Sequence, residues 1–147
     1  MSRDTAQQHQ AAVEQKVNEL VQQSRVYEAY INDVMTKQIT VSRLLEEARL
    51  ASTTIQATST ESEMDSLMPV GIGVHIRAIV PPVKRLVVSL GAGVAIEKNR
   101  EDALNYVEAR IKEFEVAARQ LEAQRTELTM RMQQLQAQVN QLLRAAQ

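Results

Sequence analysis

Two long stretches of this chain repeat apolar residues in steps of four and three, and a short stretch between them alternates every second residue. Over residues 6–58 the stepping positions are Val13, Val17, Leu20, Ser24, Tyr27, Ile31, Val34, Gln38, Val41, Leu45 and Ala48, with Ser24 and Gln38 as polar interruptions. Over residues 99–147 they are Leu104, Val107, Ile111, Phe114, Ala118, Leu121, Arg125, Leu128, Met132, Leu135, Val139 and Leu142, with Arg125 as the polar member. A 3.5-residue repeat keeps a narrow stripe facing one partner helix, so both stretches are expected to be coiled-coil helices. Asn99 stands where an N-cap is needed, with Glu101 and Asp102 placed to complement the helix dipole. Glu108 with Lys112, Glu115 with Arg119 and Glu127 with Arg131 are spaced as i,i+4 ion pairs.

All four glycines and all three prolines fall between Pro69 and Gly93, so nothing outside that window breaks a helix. The Ser/Thr-rich stretch from Ser52 to Ser66 is expected to fray the first helix, with residues 59–66 as the linker, and residues 67–98 read as a small sheet. VGIGVHIR, from Val70, echoes LGAGVAIE, from Leu90. Each copy has Gly-x-Gly followed by alternation: Val74 and Ile76 against His75 and Arg77, Val94 and Ile96 against Ala95 and Glu97. Two β-hairpins with turns at Gly71–Gly73 and Gly91–Gly93 account for this, because glycine reaches the positive φ of tight turns. Pro81–Pro82 would separate them. A rival reading bends longer strands at the glycines and puts Pro81–Pro82 at the tip of a single hairpin.

The helices have similar lengths, roughly 45–50 residues or about 70–75 Å. The economical arrangement folds them into one antiparallel coiled coil with the sheet at the closed end. Residues near Val13 would then lie by Leu142, and Leu45 by Val107–Ile111. Two splayed helices, each pairing with another chain, would satisfy the same pattern. The strands are too apolar to stand free, and a lone hairpin is marginal in water. Their edges are expected to be closed by other subunits, with Gly71, Gly73, Val74, Ile76, Val88, Leu90, Gly91, Gly93, Val94 and Ile96 as the assembly residues.

Composition removes most other functions. The chain has 147 residues, no Trp, one Phe and a formal net charge of −1. One domain is expected, without the large fillers of a conventional core. The charge balance is unlike that of a nucleic-acid binder. With no cysteine, thiolate catalysis and cysteine–zinc sites drop out. No signal peptide opens the sequence, and no apolar run reaches the roughly 20 residues a membrane span needs, so a cytoplasmic protein is expected. Neither Gly-x-Gly has a third glycine or a βαβ setting, so no nucleotide site is indicated. His75, on the polar side of a strand, is expected at a surface or interface. No enzyme activity, cofactor or metal is anticipated.

The strings MPVGIGVHIRA, from Met68, and SLGAGVAIEKNREDAL, from Ser89, flanked by long heptad helices, resemble the α-class subunit of prefoldin, a co-chaperone of archaeal type. The short PPVKR connection departs from the more polar loop expected there. The resemblance implies a hexamer of two α-class and four β-class subunits, whose strands form two β-barrels and whose coiled coils hang free. It also implies that the distal tips hold unfolded client proteins and pass them to a group II chaperonin without ATP. The tip residues would be Val13, Val17, Leu20, Leu135, Val139, Leu142 and Leu143, lying where the two helices fray. Leu143 lies off the stripe and has no seam to enter. A structural coiled-coil oligomeriser or filament-forming relative is the alternative.

Overall fold

The computed structural model describes residues 2–147. Helix α1 (Ser2–Ala57) leads into strands β1 (Met64–Gly71), β2 (Val74–Val80), β3 (Arg85–Gly91) and β4 (Val94–Asn99), and helix α2 (Arg100–Ala145) closes the chain. The described residues form two compact units. One spans Ser42–Val116 and holds all four strands; the other holds α1 up to Val41 and α2 from Ala117 on.

The first unit carries two antiparallel two-stranded sheets, β1–β2 and β3–β4. The single-hairpin rival is thereby excluded. Both turns have the same form. Gly71 pairs with Val74 and Gly91 with Val94, leaving two-residue loops at Ile72–Gly73 and Ala92–Gly93. All four loop residues have positive φ, between 50° and 77°. Type I′ turns demand this, and their twist matches that of the strands. Val70 and Leu90 bulge just before the turns. The sequence echo is therefore a repeat of turn geometry.

The expected linker is shorter than 59–66, because β1 begins at Met64. Ser59 ends the connection early: its Oγ accepts hydrogen bonds from the backbone N–H groups of Glu61 and Ser62, at 3.2 and 3.0 Å. α1 also does not fray from Ser52 on. Ser52 and Ile55 are buried against α2, and Ser52 donates to the Glu108 carboxylate. Arg49 pairs with Glu115 at 3.6 Å. Glu108 and Glu115 thus reach across to α1, where i,i+4 pairs along α2 were expected. The antiparallel pairing is also offset from expectation: Ser52 stands by Glu108, seven residues beyond the Leu45 expected near that point. Asn99 caps α2 as anticipated, its Oδ1 accepting from the Asp102 N–H at 2.7 Å.

In the second unit the seam is built from the stepping positions. Leu20, Val34 and Leu135 are buried; Val13, Val17, Tyr27, Ile31, Leu128, Met132, Val139 and Leu142 are half-buried. The polar interruptions of the two helices meet. Gln38 donates through Nε2 to Glu122 at 2.9 Å and accepts from Arg125 at 3.3 Å. Tyr27 lies by Arg131, and its hydrogen bond, with the charge of Glu127, holds that guanidinium above its ordinary pKa. Arg131 also donates to Glu127 at 2.7 Å, the one expected i,i+4 pair that forms as drawn.

Candidate assembly and client-binding surfaces

The hairpins are anchored where the helices meet the sheet. Arg100, the first residue of α2, directs its guanidinium onto the end of α1. It donates to the carbonyls of Ile55 (3.1 and 3.3 Å), Gln56 (3.1 Å) and Thr58 (3.4 Å). A helix C-terminus leaves its last carbonyls unpaired and carries partial negative charge, so one cation satisfies several acceptors there. Two backbone bonds complete the anchor: the Val83 N–H to the Ser59 carbonyl at 2.8 Å and the Arg100 N–H to the Lys84 carbonyl at 3.1 Å. Ala103, at 1% exposure, packs one turn beyond Arg100.

Beyond this anchor the strands lack cover. Leu67, Met68, Val70, Val74, Ile76 and Ile79 are all exposed in the first hairpin. Val87, Leu90, Val94 and Ile96 are exposed in the second, while Leu86 and Val88 are half-buried. Of the residues expected to direct assembly, Val74, Ile76, Leu90, Val94 and Ile96 are exposed apolar groups, and Gly73 and Gly93 hold the turns. Ile72, at the first tip, is a β-branched residue at φ 50° with a fully exposed side chain. His75 is exposed on β2, its Nδ1 3.1 Å from the Gly73 carbonyl oxygen.

Beside the second hairpin lies an open apolar groove of about 560 Å³. Leu50, Thr54 and Ile55 of α1 and Ala103, Tyr106 and Val107 of α2 line it, and Leu86–Ser89 of β3 form its wall. Tyr106 carries Lys98 over its ring at 5.9 Å.

In the second unit the candidate tip residues fall into three groups. Leu20 (3% exposed) and Leu135 (8%) are buried in the seam, so they are not open to a ligand while the helices are paired. Val13, Val17, Val139 and Leu142 are half-buried along the same seam. Leu143 is 49% exposed and off it. The expected fraying is absent, since α1 is helical from Ser2 and α2 to Ala145. Further apolar groups that the stripe did not single out are exposed on the flanks of α1, namely Val26, Tyr30 and Ile39, with Met130 on α2. Their only sequence signal was their place outside the heptad.

No group of three or more His, Asp or Glu side chains is placed to hold a metal among the described residues. No helix among them is long and apolar enough to cross a membrane.

Two long helices pairing within the chain, joined by two apolar and uncovered β-hairpins, define a helical-hairpin protein with an open β surface. The chain belongs to the prefoldin family, whose subunit model matches residues 13–145. It is 34% identical to the prefoldin subunit alpha of Nitrosopumilus maritimus over 134 residues, which are 91% of this chain and 92% of that one. Among solved structures it resembles the filamentous prefoldin of Methanocaldococcus jannaschii, with a TM-score of 0.64 and 28% identity, covering 82% of this chain and 98% of that one. The prefoldin β subunit of Thermococcus strain KS-1 shares the fold, with a TM-score of 0.63 at 19% identity over 88% of this chain and 93% of that one. Prefoldin is a non-enzymatic co-chaperone family, and the chain is not an enzyme.

Proposed function

We propose that this chain is a cytoplasmic, ATP-independent holdase subunit. In this reading two copies join four β-class subunits through their hairpins, and the assembly binds unfolded proteins at its coiled-coil tips for delivery to a group II chaperonin. The observation that carries the reading is the uncovered apolar surface of both hairpins in a chain of this family. An isolated hairpin with exposed Val74, Ile76, Val94 and Ile96 needs partner strands to be stable in water. Clients would be held by burial of apolar surface, at about 25 cal/mol per Å² removed from water. Several weak tips acting together would raise the avidity. Leu143 would make the first contact, and Val13, Val17, Leu20, Leu135, Val139 and Leu142 would join as the end of the seam opens.

The test mixes the chain with a prefoldin β-class subunit and follows light scattering of a chemically unfolded client. The mixture is expected to form a hexamer and suppress aggregation. The variant with Val139, Leu142 and Leu143 replaced by Ser is expected to assemble but lose most of that suppression. An assembled triple variant with full holding activity would remove the tips from the proposal.

A second reading, a filament-forming oligomeriser without client transfer, is favoured by the likeness to a prefoldin solved as a filament. Wild-type assemblies that leave client aggregation unchanged would select it.

A further inference from the structure

Charge thins out along α2 toward its C-terminal end. Residues 108–119 carry six charged side chains, residues 120–131 carry four, and residues 132–143 carry none. The solvent face of a helix ordinarily bears charged side chains. Here amides replace them: Gln133, Gln134, Gln136, Gln138, Asn140 and Gln141 are all exposed. The apolar residues of the same stretch are turned into the seam, with Leu135 buried and Met132, Val139 and Leu142 half-buried. Leu143 is its one exposed large apolar group. While the helices are paired, this stretch therefore offers a ligand mainly amide surface.

The start of α1 has the same character. Tyr27 bonds to Arg131. Equal antiparallel steps from that pair bring Val13 level with Ala145, the last residue of α2. Val13 is also the first half-buried residue described on α1, and residues 2–12 are all exposed. They run on past the end of α2 for about 16 Å. This overhang has no apolar side chain larger than alanine, its Arg3 and Asp4 charges cancel, and it presents Gln7, Gln8 and Gln10.

A side-chain amide offers N–H donors and a carbonyl acceptor, the complement of a peptide group. A folded protein pairs nearly all its buried backbone N–H and C=O groups, whereas an unfolded one leaves its backbone open. An uncharged amide surface thus separates unfolded from folded chains without reading a client's sequence or charge. We infer that the amides of residues 133–141 and 7–10 bind the unpaired backbone of an unfolded polypeptide, so that the tips take clients of either charge. The inference rests on the tips being the client site, and it adds the chemical group recognised there. Gln133, Gln136, Asn140 and Leu143 follow at i, i+3, i+7 and i+10, so one row on α2 joins three amides to the exposed leucine. A client segment along that row bonds through its backbone and buries an apolar side chain at the end.

The test uses the assembly formed with a β-class subunit and replaces Gln133, Gln134, Gln136, Gln138 and Gln141 with Ala. Alanine is the strongest helix former, so the seam and its leucines are kept. Circular dichroism and thermal unfolding check this. Alanine is also more apolar than glutamine, so holding by apolar burial alone would be unchanged or improved. Backbone recognition has the opposite sign. Affinity for a short, uncharged, unstructured peptide, read by fluorescence anisotropy, is expected to fall about tenfold. The same peptide with alternate backbone amides replaced by esters loses N–H donors and keeps its side chains. Wild type is expected to bind the ester peptide several-fold more weakly than its parent, and the alanine variant to bind the two alike. An alanine variant that holds at full strength removes the inference, as does equal wild-type affinity for the two peptides. If the variant with Val139, Leu142 and Leu143 replaced by Ser then still loses holding, the tips remain the client site through apolar contact alone. A wild-type assembly that binds neither peptide nor unfolded client removes the client-binding reading and the inference with it.

Discussion

Gly93 sits at φ +77°, and a Cβ built there would meet nothing within 4 Å. Any cost of a side chain at this position is therefore torsional, not steric crowding from neighbours. A β-branched residue in the left-handed region costs roughly 1–2 kcal/mol. Gly93→Val is expected to weaken the second hairpin by about that amount and to lower oligomer mass at a given concentration. Helix content should stay near wild type, because neither helix depends on the turn. Ile72 offers the opposite sign. It already occupies the left-handed region at φ 50° with its side chain fully exposed. Ile72→Asn is expected to stabilise the chain by up to about 1 kcal/mol, since Asn tolerates that conformation. Thermal and urea unfolding of the two variants side by side would check both signs; equal midpoints would refute the torsional account.

Elements show what the sequence made legible and what it hid. The heptad stripe was readable from Val13 to Ala48 and from Leu104 to Leu142, because burying one side of a helix imposes its own spacing. The same rule hid the stripe's continuation through Ser52, a serine that is buried because Glu108 accepts its hydroxyl. Ala103, the most buried apolar residue described, was passed over because a small side chain gives no hydrophobic signal. Arg100 reads as an ordinary first-turn residue, since its acceptors lie more than 40 positions away on α1. The turns were legible because only glycine suits most of their dihedrals. What would cover the exposed hairpins was not, because one chain's sequence does not state a partner's surface. The polar layer is the instructive case. Gln38 and Arg125 looked like two separate faults in two stripes, and they are partners, with Glu122 as the third member. Polar residues at core positions fix register at some cost in stability. A glutamine amide can turn over and exchange donor for acceptor. Glu122→Arg with Arg125→Glu in one chain should therefore keep the layer, whereas Glu122→Arg alone leaves two cations facing one amide. The single variant is expected to lower stability by about 0.5–1 kcal/mol, as for partly exposed charge pairs, and the double variant to recover most of it. A double-mutant cycle with no coupling would show that the layer does not pin the register.

For the whole molecule, the decisive separation is between assembly and client holding. The strands and their anchor lie within Ser42–Val116. The candidate client residues lie near the two ends of the chain. Deleting roughly the first 20 and last 15 residues removes Val13, Val17, Leu20, Leu135, Val139, Leu142 and Leu143. It leaves both hairpins and the Arg100 anchor untouched. Local helix is lost, and with it the burial of Leu20 and Leu135, so the shortened coil is expected to melt earlier. The number of subunits per oligomer is nevertheless expected to match wild type at room temperature, because the strands proposed to join subunits are far along the chain from either cut. Client holding, read as light scattering of an unfolded protein at equal subunit concentration, is expected to fall severalfold. The cut also exposes an alternative. Val26, Tyr30, Ile39 and Met130 remain, all exposed and outside the seam. If the truncated assembly still holds clients at full strength, those flank residues become the site. Replacing Tyr30 and Ile39 with Ser in the truncated chain would then abolish the holding that the ends did not supply.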